Sequence, residues 1–269
     1  MKIILKKKEI ANFIQKETNL GFVPTMGALH LGHISLIKKS INQCKKTIVS
    51  IFVNKPQFNK KNDYKKYPRN LKRDISKLKK LKVDYLYLPI EREIYPDGIN
   101  KNIKIHSFES KLCGKFRPFH FKAVVDVIDR FIKIIKPKKI FFGEKDFQQL
   151  KLIEIFTKKN NMNVQIVGCK TIREKNGIAF SSRNFLLNNR QKKIAAKIYK
   201  LLLKKKYIII DNKLLVKSAK KEILKIGANK IDYLEVLNIN KIIKPYKRKN
   251  KYKIFIAYYL GKVRLIDNI

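Results

Sequence analysis

The chain has 269 residues, of which 45% are hydrophobic, and a net charge of +44. That length and apolar content suit one large or two ordinary domains with real cores and exclude a disordered chain, and no apolar run approaches the ~20 residues of a membrane span. Lysines run from Lys6-Lys7-Lys8 through Lys79-Lys80 to Lys204-Lys205-Lys206 without concentrating on one element, so the charge reads as a solvated surface and not as a nucleic-acid-binding patch with interleaved aromatics.

In chain order, Met1 to Lys8 has too short an apolar core for a signal peptide. Leu20-Gly21-Phe22-Val23 reads as a buried parallel strand, broken by Pro24 and Gly27, and helical spacing follows over 31–43. Thr47 to Val53 is a second buried strand, and Asn54 to Pro68 a loop at its carboxyl end. A helix over 71–81, a strand over 83–88 and a short strand Ile103-Lys104-Ile105 come next. The loop Cys113 to His120 leads into an apolar helix over 121–135. Lys139 to Phe142 is a strand ended by Gly143, followed by a helix to about Lys158 and a strand Val164 to Val167. Strands separated by helices imply a parallel sheet covered on both faces. Beyond about residue 170, helices over 190–206 and 213–226 precede strands over 231–237, 252–260 and 262–267. That order suggests a smaller α+β domain, giving domains of 1–170 and 171–269. Three scattered cysteines, Cys44, Cys113 and Cys169, form no CxxC pattern and suit a reducing, cytoplasmic setting.

The polar clusters fall where strands end, which is where open α/β sheets bind ligands. His30 and His33 stand three apart at a helix start, a natural phosphate site. Gln57 sits on the loop after the second strand, with an amide that can both donate and accept. Gly143-Glu144-Lys145-Asp146-Phe147-Gln148-Gln149 offers close backbone approach, a point charge for phosphate and, one turn on, a second amide at Gln149. Phe180-Ser181-Ser182-Arg183-Asn184 combines two hydroxyls with a guanidinium, a set that suits polyphosphate.

Taken together, Pro24-Thr25-Met26-Gly27-Ala28-Leu29-His30-Leu31-Gly32-His33, Gly143 to Gln149 and Ser181-Ser182-Arg183-Asn184 resemble the pantoate–β-alanine ligases of the nucleotidyltransferase superfamily. The resemblance runs from Val23 to Asn268 and includes Tyr67-Pro68-Arg69 and Asp74. It implies a Rossmann-like domain followed by the smaller one, and an AMP-forming condensation of ATP, (R)-pantoate and β-alanine on the way to coenzyme A. It implies His33, His30, Lys145 and Arg183 as catalytic residues, with His33 the proton donor. Met26, Gly27, Ala28, Leu29, His30, Leu31, Gly32, His33, Gly143, Glu144, Lys145, Asp146, Ile172, Phe180, Ser181, Ser182 and Arg183 would bind ATP. Gln57 and Gln149 would bind pantoate, and Gln57 β-alanine as well. Mg²⁺ is expected with ATP, near Asp74, with no carboxylate cluster to fix it. A cytoplasmic homodimer is implied, with neither membrane nor specific nucleic acid as partner. The alternatives are another nucleotidyltransferase of the superfamily and a basic nucleic-acid-binding protein.

Two segments depart from the family pattern. Lys55 precedes Pro56 where the family has Asn-Pro-x-Gln-Phe, which is expected to re-aim the loop carrying Gln57. Phe119 replaces the glycine of Arg-Pro-Gly-His-Phe, and Ala123 a later one. Phenylalanine takes positive φ only at a cost, so that loop is expected to differ or to be strained.

Overall fold

A computed structural model describes residues 1–14, 17–212, 214–239 and 252–269. Six strands form a parallel sheet: β1 Lys2–Ile4, β2 Leu20–Thr25, β3 Lys46–Ile51, β4 Tyr85–Tyr87, β5 Lys139–Gly143 and β6 Gln165–Cys169. Their order is β1-β4-β3-β2-β5-β6. The chain leaves β2 toward β3 on one side and later returns to β5 on the other. The carboxyl end of β2 is therefore the topological switch point, where a crevice opens in sheets of this kind.

Period-two alternation sends the side chains of each strand to opposite faces. Phe22, Ile48, Tyr87, Ile140 and Phe142 pack on one side with Val124, Ile128 and Phe131. Val23, Val49, Leu86 and Phe141 pack on the other with Leu36, Ile37 and Leu78. The helices of this part are α1 Lys7–Ile14, α2 Leu31–Gln43, α3 Lys61–Lys65, α4 Leu71–Lys80, α5 Glu91–Ile94, α6 Leu112–Phe116, α7 His120–Ile135 and α8 Phe147–Lys159, of which α2 and α4 pack on one face and α1 and α7 on the other. Burying a side chain such as Phe22, which is fully enclosed, contributes about 2 kcal/mol.

Three local expectations change. The strand expected at Ile103–Ile105 does not form, although Ile103 is buried in the core. The edge beside β4 is instead taken by β1, with Ile3 opposite Leu86. The loop over 54–68 contains a tight turn at Lys55–Gln57 and α3, and the loop over 113–120 contains part of α6.

Beyond β6 come α9 Asn189–Lys204, α10 Lys206–Asp211 and α11 Leu215–Ile226, then β7 Lys230–Asn238, β8 Tyr252–Leu260 and β9 Val263–Asn268. The last three form an antiparallel sheet in the order β7-β8-β9. Asn188 and Gln191 cap α9 reciprocally, each side chain accepting from the other's backbone N–H. The expected helix start at Lys213 lies outside the described residues. Ala195, Ile198, Ile223, Ile254 and Ile256 build a separate core. A further cluster joins the two sheets through Leu112, Phe121 and Phe147 on one side and Tyr233, Phe255 and Ala257 on the other.

Candidate active site

At the switch point the chain turns sharply between β2 and α2. The Thr25 hydroxyl donates to Ser50 O at 2.7 Å and accepts from Gly27 N at 3.2 Å. Gly27 takes φ 78°, which glycine does at no steric cost. Asp74, buried on α4, accepts from Ala28 N at 2.7 Å and Leu29 N at 2.8 Å, one bond to each carboxylate oxygen. Lys77, a turn later, donates to Leu29 O. A helix on the crossover from β3 to β4 thus clamps the turn from beneath.

His30 caps α2, and His33 lies in its first turn. Their rings stack at 3.9 Å. A Cβ on Gly32 would sit 2.9 Å from the His30 ring, so the glycine between them keeps that stack possible. His33 Nδ1 accepts from His30 N at 3.4 Å, which leaves the neutral ring's proton on Nε2. His30 Nδ1 is buried without a partner. Burial, reinforced for His30 by His33, Lys145 and Lys77, pushes the His30 pKa down to about 2. Burial also pushes His33 down to about 4, with Asp146 pulling upward against Lys145 and Lys77. Both rings are neutral hydrogen-bonding groups at neutral pH, set at the positive end of a helix.

Lys145 sits on the turn Glu144–Asp146 after β5, with Nζ 3.4 Å from Asp146 Oδ1. Asn268, on β9, donates to Glu144 O at 2.8 Å and Lys145 O at 2.9 Å, so the small sheet seats this turn. The two glutamines that follow divide. Gln148 is buried and joins Cys113 N, Phe108 O and Lys111 O, while Gln149 faces the crevice. Ser182 donates to Ala28 O at 3.3 Å, and Ser181 accepts from Arg183 N at 3.3 Å. Arg183 reaches Asp63 on α3 at 3.0 Å, and Ser182 also meets the buried Tyr67 hydroxyl.

Gln57 has a fixed amide. Asn54 Nδ2 donates to its Oε1 at 3.1 Å, and its own Nε2 points to Met26 Sδ at 3.2 Å. His120 and Arg117 both donate to Gln57 O, at 2.9 and 3.2 Å. Arg117 also donates to His120 Nε2 at 3.0 Å, which places the His120 proton on Nδ1. Burial, with Arg117 beside it, holds the His120 pKa well below the usual histidine value. Phe119, between these two, takes φ 63° and ψ −6° with the ring 74% exposed. The backbone keeps a glycine conformation on a phenylalanine, so the segment is strained.

These groups surround a cavity of about 230 Å³. Of the residues anticipated from sequence, Met26, His30, Gly32, His33, Gln57, Gly143, Lys145, Asp146, Gln149, Ile172, Phe180, Ser181, Ser182 and Arg183 line it. Gly27, Ala28, Leu29, Leu31 and Glu144 are not among its walls: Ala28 and Leu29 are buried beneath the turn, and Leu31 is exposed. Arg117, His120, Asn54 and Tyr67 line the cavity without having been assigned a role from sequence, and neither Asp63 nor Asn268 carried any local signal. A second cavity of about 610 Å³ runs between the two sheets and shares Arg117, His120, Lys145, Asp146, Gln149, Ser181 and Arg183 with the first. Its size is that of a small-molecule site.

Asp74 does not serve Mg²⁺ as expected. It is 1% exposed with both oxygens on backbone N–H groups. Among the described residues, no group of three or more His, Cys, Asp or Glu side chains could hold a metal ion, so the donor set does not fit a resident Mg²⁺.

Over residues 2–269 the sequence matches the profile of the family described as pantoate-beta-alanine ligase. The chain belongs to that family. It is 39% identical to the pantothenate synthetase of Thermosipho africanus, across 100% of this chain and 99% of the relative. It is 41% identical to that of Caldicellulosiruptor bescii, across 99% and 96%. The fold is similar to pantothenate synthetase from Thermus thermophilus, with TM-score 0.91, 30% identity and coverage of 100% and 99%. It is also similar to the pantoate-beta-alanine ligase from Francisella tularensis, with TM-score 0.85, 39% identity and coverage of 100% and 97%. That structure is described as complexed with beta-gamma ATP and beta-alanine. The chain is a ligase that joins pantoate to β-alanine in an ATP-dependent reaction.

Proposed function

We propose that the reaction takes place in the cavity at the switch point, in two steps and with a defined division of labour. The supporting observation is the convergence of a helix N-terminus with two stacked neutral histidines, Lys145 and the Ser181–Arg183 loop on one cavity that also holds two glutamine amides. In the first step a pantoate carboxylate oxygen attacks the α-phosphorus of ATP, the bond to the bridging oxygen breaks, and pyrophosphate leaves with that electron pair. Negative charge spreads over the phosphoryl oxygens in the transition state, so catalysis depends on positioning and electrostatic stabilisation. His33 Nε2–H and His30 donate hydrogen bonds to those oxygens. A polyanion beside them raises both depressed pKa values, so His33 gains proton-donor character as charge develops. Lys145, Ser181, Ser182 and Arg183 hold the triphosphate and then the departing pyrophosphate, and Met26, Gly32, Gly143, Asp146, Ile172 and Phe180 enclose the nucleoside. Backbone of Gly27, Ala28, Leu29, Leu31 and Glu144 shapes these walls from behind. Gln57 and Gln149 hold pantoate.

In the second step the amine of β-alanine attacks the acyl carbon of pantoyl adenylate, AMP leaves, and the amine's surplus proton passes to solvent. Mg²⁺ arrives with ATP as part of the substrate. Residues 1–170 supply most of the site and residues 171–269 close it. The chain works as a homodimer in the cytoplasm, a setting in keeping with its buried free thiols Cys44, Cys113 and Cys169. Purified protein with all three substrates is expected to yield pantothenate and AMP in equal amounts; release of ADP would sink the assignment. His33→Ala and Lys145→Ala are each expected to lose pantoate-dependent pyrophosphate–ATP exchange by about a hundredfold or more while melting like the parent. Unchanged exchange in either variant removes that residue's role.

A further inference from the structure

The proposed reaction brings three anionic groups to one place: the triphosphate, the pantoate carboxylate and the β-alanine carboxylate. The first meets Lys145, Arg183 and the helix end, and the second is consumed by adenylation. The third stays charged from substrate to product, and Gln57 alone is a neutral partner for it. A spectator carboxylate held out of bulk water needs a permanent cation, ideally one with two parallel donors.

The cationic side chains that line both cavities are Lys145, Arg183 and Arg117, and Arg264 lines the larger one. Lys145 sits against Asp146, Arg183 against Asp63 and Arg264 against Asp232. Arg117 has no carboxylate partner among the described residues. Its guanidinium donates only to two neutral acceptors, His120 Nε2 and Gln57 O, from the turn between α6 and α7. It lines both cavities. Burial and the nearby Arg183 and Arg264 push its pKa down to about 10, against a smaller pull from Cys113 and Asp63. The fold therefore holds a charged, largely desolvated fork without a carboxylate partner among the described residues, directly beside the backbone of Gln57.

We propose that Arg117 is the receptor for the carboxylate of β-alanine, holding the amino acid where the two cavities meet so that its amine reaches the acyl group beside Gln57. The assignment rests on the two-step reaction above. It also accounts for a β-amino acid as acceptor. With the carboxylate anchored on a fixed guanidinium, two methylenes set the reach of the amine, and an α-amino acid falls one carbon short.

The test separates the two half-reactions. The wild-type protein is expected to use β-alanine far better than 3-aminopropanamide, in which a neutral amide replaces the carboxylate. Arg117→Met is expected to raise the KM for β-alanine about thirtyfold or more and to narrow the preference for acid over amide. Pantoate-dependent pyrophosphate–ATP exchange should fall far less than β-alanine use, because β-alanine takes no part in it and His120 still donates to Gln57 O. Arg117→Lys, which keeps the charge and loses the fork, should fall between them. An unchanged KM for β-alanine overturns the proposal, as does exchange that falls in step with it, which would make Arg117 a phosphate ligand. Wild-type protein that accepts the amide as readily as the acid also overturns it, and that result needs no variant to fold. Wild-type protein with no pantoate-dependent exchange would instead bring down the two-step reading itself.

Discussion

Phe119→Gly should stabilise the protein. Phe119 is held at φ 63° and ψ −6° immediately before α7, a conformation that costs an L-residue about 1–2 kcal/mol. The ring offers little in return: it is 74% exposed, and Lys122 Nζ lies 6.0 Å from its centroid. Glycine removes the steric cost but loses more freedom on folding, which takes back about 0.5–1 kcal/mol. The net gain is about 0.5–1 kcal/mol, or a Tm rise of about 1–4 °C for a chain of this size. Urea unfolding followed by circular dichroism at fixed pH measures it, with Phe119→Ala as the control. Alanine keeps the Cβ and therefore the strain, so it should gain nothing. A glycine variant no more stable than the parent, or an alanine variant that gains as much, would refute the backbone argument.

The three histidines around the cavity give a pH dependence with a defined sign. His30, His33 and His120 all have folded-state pKa values below the ordinary 6.5. The unfolded chain therefore binds protons first, and stability present above pH ~6.5 is lost as pH falls toward the folded values, about 4 for His33. Each contributes a slope approaching ~1.4 kcal/mol per pH unit; urea midpoints that stay level from pH 7 to 5 would contradict this, and His120→Gln should shed its share. Asp74→Ala leaves two buried N–H groups without acceptors, for a loss of about 2–5 kcal/mol and a higher KM for ATP; a loss under ~1 kcal/mol would mean the clamp is unimportant. Asn268→Ala releases the carbonyls of Glu144 and Lys145 and should cost about 1–3 kcal/mol. Steady-state kinetics should show kcat/KM for ATP falling while the KM for pantoate holds, and an equal effect on both would argue against a local role.

The alternation of strand and helix was legible because β2, β3 and β5 are continuous apolar runs bounded by breakers. β1 was not, since three residues are shorter than any period that could announce them; it pairs with β4 at the sheet edge, while Ile103–Ile105 forms no strand. The histidines, Lys145 and the serine–arginine loop declared themselves through local motif chemistry. Asp74, Asp63, Arg117 and Asn268 did not, because each acts on partners far away in the chain: Asp74 on Ala28, Asn268 on Lys145. Asp74 shows how this misleads, since a lone carboxylate near a phosphate motif suggests a metal ligand until its two N–H partners are seen. At Phe119 the sequence located the strain, and the backbone angle supplied its form.

One crossover, between β3 and β4, carries Gln57, Asp63, Tyr67 and Asp74. It therefore touches the proposed pantoate side of the cavity at one end and underpins the turn before α2, the proposed nucleotide site, at the other. This packed segment is the physical link between the two proposed substrate positions. A substrate that settles one end acts on the other through the same hydrogen-bonded chain, so binding should be mutually reinforcing without any large movement. Reciprocity then fixes the arithmetic: the factor by which ATP tightens pantoate must equal the factor by which pantoate tightens ATP, and titration calorimetry run in both orders measures it.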